Sequence, residues 1–144
     1  MKTQFIGTWK LLSAEARLAD GSVIYPYGRS PLGRLSYDGA GHMSAQLTHS
    51  ERHPFAVADK AKGTPPEVQA AIETYESYYG TYEVDEAGQI VVHHVTGSLL
   101  PNWTGSDQVR FYEFEGDRLT LSTAEIPYGG TQLVGVLVWE RLSS

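Results

Sequence analysis

Gly7-Thr8-Trp9 near the start of the chain and Val138-Trp139-Glu140-Arg141 near its end are the stretches that decide the fold. The first would open a first strand and the second would close a last strand, and a β-barrel must join these two strands to leave no free edge. The ring of Trp9 is large enough to plug the narrow end of a barrel. The guanidinium of Arg141 can stack on that ring and donate to nearby carbonyls. The two stretches therefore predict a closed barrel with an interior.

Composition limits the classes of protein to which the chain can belong. Its 144 residues suit one domain, 1–144, and leave no room for a second sizeable core. The net charge of −6 argues against nucleic acid and against an anionic membrane surface as partners. There is no cysteine, which excludes disulfides and thiolate chemistry. No stretch resembles a leader peptide or the roughly 20 apolar residues of a membrane span, so we expect a cytoplasmic protein.

Turn signals recur at short spacing along the chain, with runs rich in Val, Ile, Leu, Thr and Tyr between them. This alternation is typical of an antiparallel meander of hairpins. The predicted fold is mainly β: a closed antiparallel barrel of about eight or nine strands. The strands are predicted near 6–18, 22–26, 32–38, 42–48, 79–85, 89–99, 107–115, 118–123 and 131–141.

One segment interrupts the meander. Thr64-Pro65-Pro66-Glu67 has the form of a capping box, with Thr at the N-cap and Glu three residues later. Apolar residues follow at helical spacing, which predicts one inserted helix over 65–78. Inserted segments of this kind typically cover a sheet face or a barrel mouth. We therefore expect Val68, Ile72 and Tyr75 to face the barrel.

Two adjacent histidines, His93 and His94, lie on the predicted strand 89–99 and must point to opposite faces. By alternation His94 shares a face with Thr96 and Ser98, a polar set that a ligand could use, and this favours His94 as the inward residue. The opposite assignment stays open, because the valines that share the face of His93 also suit an apolar cavity. A surface histidine beside a hydrogen-bonded core histidine is a third interpretation, in which neither has a function.

The next predicted strand places Gln108, Arg110, Tyr112 and Phe114 on one face. An inward Arg110 would keep its charge and would need an anion or a carbonyl as partner, and Tyr112 could donate to the same group. With His94 across the hairpin, Arg110 and Tyr112 are the candidate catalytic residues. The alternative is an outward Arg110 that pairs with a surface glutamate.

Further candidates would line a ligand cavity without taking part in chemistry. Met43 shares a strand face with alanine and leucine, which suits an apolar interior. Trp103 lies in a connection where exposure would be costly, so it either anchors the rim or gates the mouth together with Asn102. The candidate ligand-binding residues are Met43, Gln108, Trp103, Asn102, Tyr37 and Tyr75. No metal site is predicted.

Short motifs recur in a distinctive order along nearly the whole chain: Asp20-Gly21-Ser22, Gly33-Arg34-Leu35-Ser36-Tyr37, Tyr79-Gly80-Thr81-Tyr82, Pro101-Asn102-Trp103 and Asp117-Arg118-Leu119-Thr120. In this order they resemble the bacterial and fungal lipocalin-like domain family. The resemblance implies a small calycin-type β-barrel and does not imply one activity. Some members of the family accompany the biosynthesis of aromatic or polyketide natural products.

Two functions are compatible with these observations. The first is a binding module that holds one small hydrophobic molecule, aromatic or polyketide-like, inside the barrel. The second is an isomerase, cyclase or hydratase that uses His, Arg and Tyr for acid–base chemistry in the same cavity. Neither needs a cofactor, and we expect a monomer or a homodimer. A barrel filled by its own side chains, with no function inside, is a third possibility.

Overall fold

The computed structural model describes residues 2–143, so the two terminal residues of the predicted 1–144 domain lie outside the described residues. The strands are β1 (Gly7–Leu18), β2 (Val23–Ile24), β3 (Leu32–Tyr37), β4 (His42–Thr48), β5 (Tyr75–Asp85), β6 (Ile90–Ser98), β7 (Asp107–Glu115), β8 (Arg118–Ser122), β9 (Ile126–Tyr128) and β10 (Thr131–Arg141). The α-helix α1 spans Pro65–Glu73, and short 3₁₀ turns lie at Lys2–Gln4, Lys60–Lys62 and Pro101–Trp103. No helix within residues 2–143 has the length and apolar character needed to cross a membrane.

Eight strands form the wall of a closed antiparallel barrel. They are hydrogen-bonded in the order β1-β3-β4-β5-β6-β7-β8-β10, and β10 pairs back with β1. The closing ladder joins Trp9 to Arg141 at one end and Leu18 to Leu133 at the other. The short strands β2 and β9 extend the sheet beside β1 and β10. The prediction of a closed barrel with one inserted helix is confirmed.

Side chains alternate between the two faces of each barrel strand, as the period of two requires. In β4, for example, Met43, Ala45 and Leu47 are buried and point inward, while the intervening side chains are more exposed. The same alternation around the barrel builds one apolar core. On every wall strand, one set of side chains therefore points into the barrel and can contact a molecule held there.

Aromatic side chains close one end of the barrel. Phe5, in the turn that precedes β1, is fully buried, and its ring centroid lies 4.9 Å from those of Tyr112 and Phe114. The indole N–H of Trp9 donates to the carbonyl of Phe5 at 2.9 Å, which fixes this plug to the first strand. The predicted neighbourhood of Trp9 and Arg141 at one barrel end is confirmed, with Trp9 fully buried.

The inserted helix begins as predicted and ends earlier. The side chain of Thr64 accepts from the backbone N–H of Glu67, and the side chain of Glu67 accepts from the backbone N–H of Thr64. This pair of hydrogen bonds is the predicted capping box. The helix stops at Glu73 instead of 78 because the chain enters β5 at Tyr75. Val68 and Ile72 are 45% and 47% exposed, so the expectation that they face the barrel is wrong. They border a shallow outer groove instead.

Candidate functional site

A cavity of about 450 Å³ lies at the end of the barrel opposite the aromatic plug. Its walls come mainly from the inward positions of β1 and β10 and from the segment 24–27, which begins at the last residue of β2. The lining residues are Ala14, Glu15, Ala16, Ile24, Tyr25, Pro26, Tyr27, Ile126, Leu133, Gly135 and Leu137. A volume of this size and an apolar lining suit one small hydrophobic molecule.

Small side chains make room for this cavity. Ala14 and Ala16 are consecutive inward residues of β1, and the ladder places them opposite Leu137 and Gly135 of β10. A Cβ added to Gly135 would meet Thr123 at 3.5 Å, which is ordinary van der Waals contact, so the backbone there does not require glycine. The cavity therefore depends on small side chains at these positions and not on a backbone that requires glycine.

Tyr27 connects the cavity to the opposite wall of the barrel. It lines the cavity and packs against the main core. Burial raises the pKa of Tyr27 to about 12, with a further contribution from the charge of Glu76. Glu76 also acts on Tyr78, deeper in β5, and its own pKa is raised because the carboxyl is half-buried. The charge of one half-buried carboxyl therefore acts on both phenols.

A buried histidine bridges two tyrosines on that opposite wall. The hydroxyl of Tyr37 lies 2.6 Å from His93 Nε2, and the hydroxyl of Tyr78 lies 2.7 Å from His93 Nδ1. The three residues, which we call the Tyr–His–Tyr triad, are all nearly inaccessible to solvent. Burial, together with the charges of Arg110 and His94, lowers the pKa of His93 to about 3. The imidazole is therefore neutral at pH 7.

The expectation that His94 is the inward histidine is wrong, because His94 lies on the outer face of β6. Its Nδ1 is 2.7 Å from Asp107 Oδ1 and its Nε2 is 3.0 Å from Glu83 Oε2. The hydrogen bonds to Asp107 and Glu83 raise the pKa of His94. With both nitrogens engaged by surface carboxylates, His94 has no access to the interior.

A register shift in β6 explains why simple alternation placed Ser98 on the same face as His94. Gly80 pairs with Val95 while Tyr79 pairs with Gly97, so β6 contains one extra residue at Thr96. The backbone is very close there, since a Cβ on Gly80 would stand 1.8 Å from the carbonyl oxygen of His94. Beyond the bulge the faces exchange, and Ser98 pairs with the buried Tyr78. Ser98 thus lies on the inward side, with His93.

Arg110 and Gln108 occupy the inward face of β7, as one of the two predicted orientations requires. Arg110 Nη2 donates to Gln108 Oε1 at 3.3 Å, and Nη1 donates to the carbonyl of Val109 at 3.0 Å. Gln108 in turn donates to Ser106 at 3.0 Å. Arg110 makes no ion pair with a carboxylate among residues 2–143. Its charge acts on His93 and on both tyrosines of the triad.

The other predicted residues are distributed over three regions. Tyr112 and the buried Met43 lie in the core, and Tyr112 packs on Phe5 at the plug, away from the mouth. Trp103 is half-buried, and its ring centroid is 5.5 Å from that of Tyr78. Tyr75 borders the outer groove beside the helix, and Asn102 is exposed. Of the predicted set, Tyr37 belongs to the triad, and only Gln108, Arg110 and Trp103 lie next to it.

Several residues of the site were not predicted: Ala14, Ala16, Glu76, Tyr78 and Gly135. The pair of alanines two residues apart on a strand was the available signal, because small inward residues leave space. Two buried polar atoms, the hydroxyl of Ser98 and the indole N–H of Trp139, have no hydrogen-bond partner in the described part of the chain. Across that same part, no three His, Asp or Glu side chains are grouped so that they could hold a metal ion.

Comparison with known proteins agrees with this architecture. The family described as "Lipocalin-like domain" matches residues 6–142. A curated protein of Aspergillus oryzae, named 4'-hydroxy-3'-methoxypropiophenone carrier protein, is 30% identical over 107 residues, which cover 69% of this chain and 96% of that protein. No solved structure is significantly similar to the chain. Closed by Trp9 and Arg141 at one end and hollow at the other, the chain belongs to the lipocalin-like domain family.

Proposed function

We propose that this protein binds and carries a small aromatic ketone or a related polyketide-like molecule. The observation that carries the proposal is the apolar cavity of about 450 Å³ between β1, β10 and the segment 24–27. Membership of the lipocalin-like family and the similarity to a protein named as a carrier of an aryl ketone support the same class of ligand.

The ligand's apolar body would lie against Ala14, Ala16 and Leu137, where burial of its surface supplies most of the affinity. Tyr27 offers an aromatic edge on the side towards the triad. A polar group of the ligand would extend in that direction, towards Arg110, whose charge has no carboxylate partner among the described residues. This arrangement keeps the predicted polar end of the site, with His93 in place of His94.

An isomerase, cyclase or hydratase in the same cavity is the alternative function. A general base needs a free nitrogen that readily takes up a proton. Both nitrogens of His93 are already hydrogen-bonded to tyrosines, and its pKa of about 3 opposes protonation. These two properties favour carriage over catalysis by His93. The expected cytoplasmic location, the exclusion of nucleic acid and membrane partners, and the monomeric or homodimeric state stay predictions.

Calorimetric titration tests the proposal with 4'-hydroxy-3'-methoxypropiophenone and unsubstituted propiophenone as probes. Ala16→Leu would place three more carbon atoms at the cavity wall, and we expect at least about a tenfold loss of affinity for both probes. Val134→Leu, on the outer face of β10 next to Gly135, is the matched control and should bind like the wild type. Failure of both ketones to bind wild-type protein, or unchanged affinity in Ala16→Leu, would overturn the proposal.

A further inference from the structure

The Tyr–His–Tyr triad contains one more hydrogen-bond donor than its own contacts use. A neutral imidazole donates through one ring nitrogen and accepts through the other. One tyrosine of the triad therefore donates its hydroxyl proton to His93, while the second tyrosine accepts the N–H of His93. The second tyrosine keeps its own O–H, and neither hydroxyl has another hydrogen-bond partner among residues 2–143.

The position of the two tyrosines decides which one has the spare proton. Tyr37 is the last residue of β3, and its ring packs between Phe5 and Tyr82 at the plugged end. An unused donor is costly among packed aromatic rings. This cost favours the tautomer in which Tyr37 donates to His93 Nε2. In that tautomer the proton of the imidazole resides on Nδ1 and is donated to the hydroxyl oxygen of Tyr78.

The ladder places Tyr78 nearer the open end of the barrel than Tyr37, because Tyr37 pairs with Met43 and Tyr78 pairs with Ala45, two residues further along β4. The ring of Trp103 packs on that of Tyr78, with centroids 5.5 Å apart. Directly across the ladder is Ser98, whose buried hydroxyl has no partner within the described residues. Directly opposed residues of an antiparallel pair have Cβ atoms about 4.5–5.5 Å apart, so Ser98 lies beside the base of the Tyr78 side chain, while the Tyr78 hydroxyl lies further along the strand at His93.

We propose that Tyr78 donates its free hydroxyl proton to a carbonyl oxygen of the bound molecule. His93 is the positioning residue, because its N–H to the oxygen of Tyr78 orients and polarises that phenol. This inference rests on the proposed function and specifies which chemical group of the ligand is recognised. A neutral ketone fits this neutral donor, and a hydrocarbon of the same shape would leave it unpaired.

Matched ligands separate this inference from the proposed function. Wild-type protein, Tyr78→Phe and the control Tyr79→Phe, on an outward side chain that is 56% exposed, would be titrated with propiophenone and with propylbenzene. We expect Tyr78→Phe to weaken ketone binding about tenfold and to leave propylbenzene binding unchanged. The carbonyl stretch of bound propiophenone should lie at lower wavenumber in wild-type protein than in Tyr78→Phe.

Four outcomes would overturn the inference while leaving the proposed function in place, provided that Ala16→Leu still loses at least about tenfold in affinity. The first is equal loss of affinity for both ligands in Tyr78→Phe, and the second is no loss for either. The third is tighter binding of 3-phenylpropanoate than of propiophenone, which would indicate a carboxylate site at Arg110. The fourth is a ketone-specific loss in Trp139→Phe but not in Tyr78→Phe, which would assign the donor to the indole N–H of Trp139.

The state of His93 offers an independent test. Nitrogen NMR of the labelled protein should show Nδ1 protonated and Nε2 unprotonated at pH 7. The opposite tautomer would place the spare proton on Tyr37, at the plugged end, and would contradict the inference. In His93→Phe, we expect propiophenone to lose the gain in affinity over propylbenzene that depends on Tyr78. The carbonyl stretch of bound propiophenone should also move towards its value in Tyr78→Phe.

Discussion

The guanidinium carbon of Arg141 lies 4.3 Å from the centre of the Trp9 ring, and this stacked pair closes the barrel. Arg141 also donates to the carbonyl of Ile6 at 2.7 Å and to the carbonyl of Gln4. Gly7 has a φ of +138°, and a Cβ there would stand 2.7 Å from Arg141 Nη1. The glycine, the tryptophan and the arginine are therefore parts of one arrangement that joins the two ends of the chain.

Truncation of Trp9 to alanine should remove the centre of this arrangement. Because the ring is fully buried, we expect Trp9→Ala to lower the free energy of unfolding by about 3–5 kcal/mol. Denaturant titration followed by circular dichroism would measure the change without relying on tryptophan fluorescence. A variant that unfolds at the wild-type midpoint would contradict the role assigned to Trp9.

Alanine at Gly7 should be destabilising for two reasons, the positive φ and the close approach of Arg141. We expect a loss of about 1–3 kcal/mol in the free energy of unfolding. Gly21→Ala is the matched control, because Gly21 has a φ of +89° but no atom within 4 Å of an added Cβ. A larger loss for Gly7→Ala than for Gly21→Ala measures the contact with Arg141, and equal losses would show that only the backbone matters.

The low pKa of His93 should make the fold sensitive to acid. A histidine with a pKa of about 3 in the folded state and 6.5 when unfolded binds its proton more weakly in the folded state. Stability is therefore lost as the pH falls from 6.5 towards 3, with a slope of up to about 1.4 kcal/mol per pH unit. His93→Gln should show a flatter profile between pH 7 and pH 5 in denaturant titrations.

His94 is the control for that experiment, because its pKa is shifted in the opposite direction. Its raised pKa stabilises the fold below the unfolded value of 6.5, and the contribution is lost as the pH rises through the folded pKa. His94→Gln should therefore lose stability in acid and change little in alkaline solution. A flatter acid profile in His94→Gln than in His93→Gln would reverse the assignment of the buried and exposed histidines.

Arg52 should hold the inserted helix to the barrel. Its Nη2 donates to the carbonyl of Ala71 at 3.1 Å, its Nε donates to the hydroxyl of Thr74 at 3.1 Å, and its guanidinium lies over the ring of Tyr75. Arg52→Ala should accelerate amide exchange in the helix 65–73 and leave the barrel strands unchanged. Arg29→Ala, which removes another cation above a tyrosine ring, should leave exchange in the helix as it is. Unchanged exchange in Arg52→Ala would show that the capping box is sufficient.

The sequence was informative about local structure and chain closure. The capping box of Thr64 and Glu67, the turns between strands and the pairing of Trp9 with Arg141 were all readable, because each depends on neighbouring residues or on two distinctive side chains at the ends of the chain. Arg110 and Gln108 could be placed on one face for the same reason, since alternation along a strand is a local property.

The inward histidine and the site around it were decided by tertiary structure. Alternation establishes that His93 and His94 point apart, but the phase depends on the partner strands, and the bulge at Thr96 moves Ser98 to the other face. Tyr37 and Tyr78 are far apart in the sequence, and only barrel closure brings both hydroxyls onto one imidazole. The cavity arises in the same way, because the space left by Ala14, Ala16 and Gly135 exists only once the first and last strands pair.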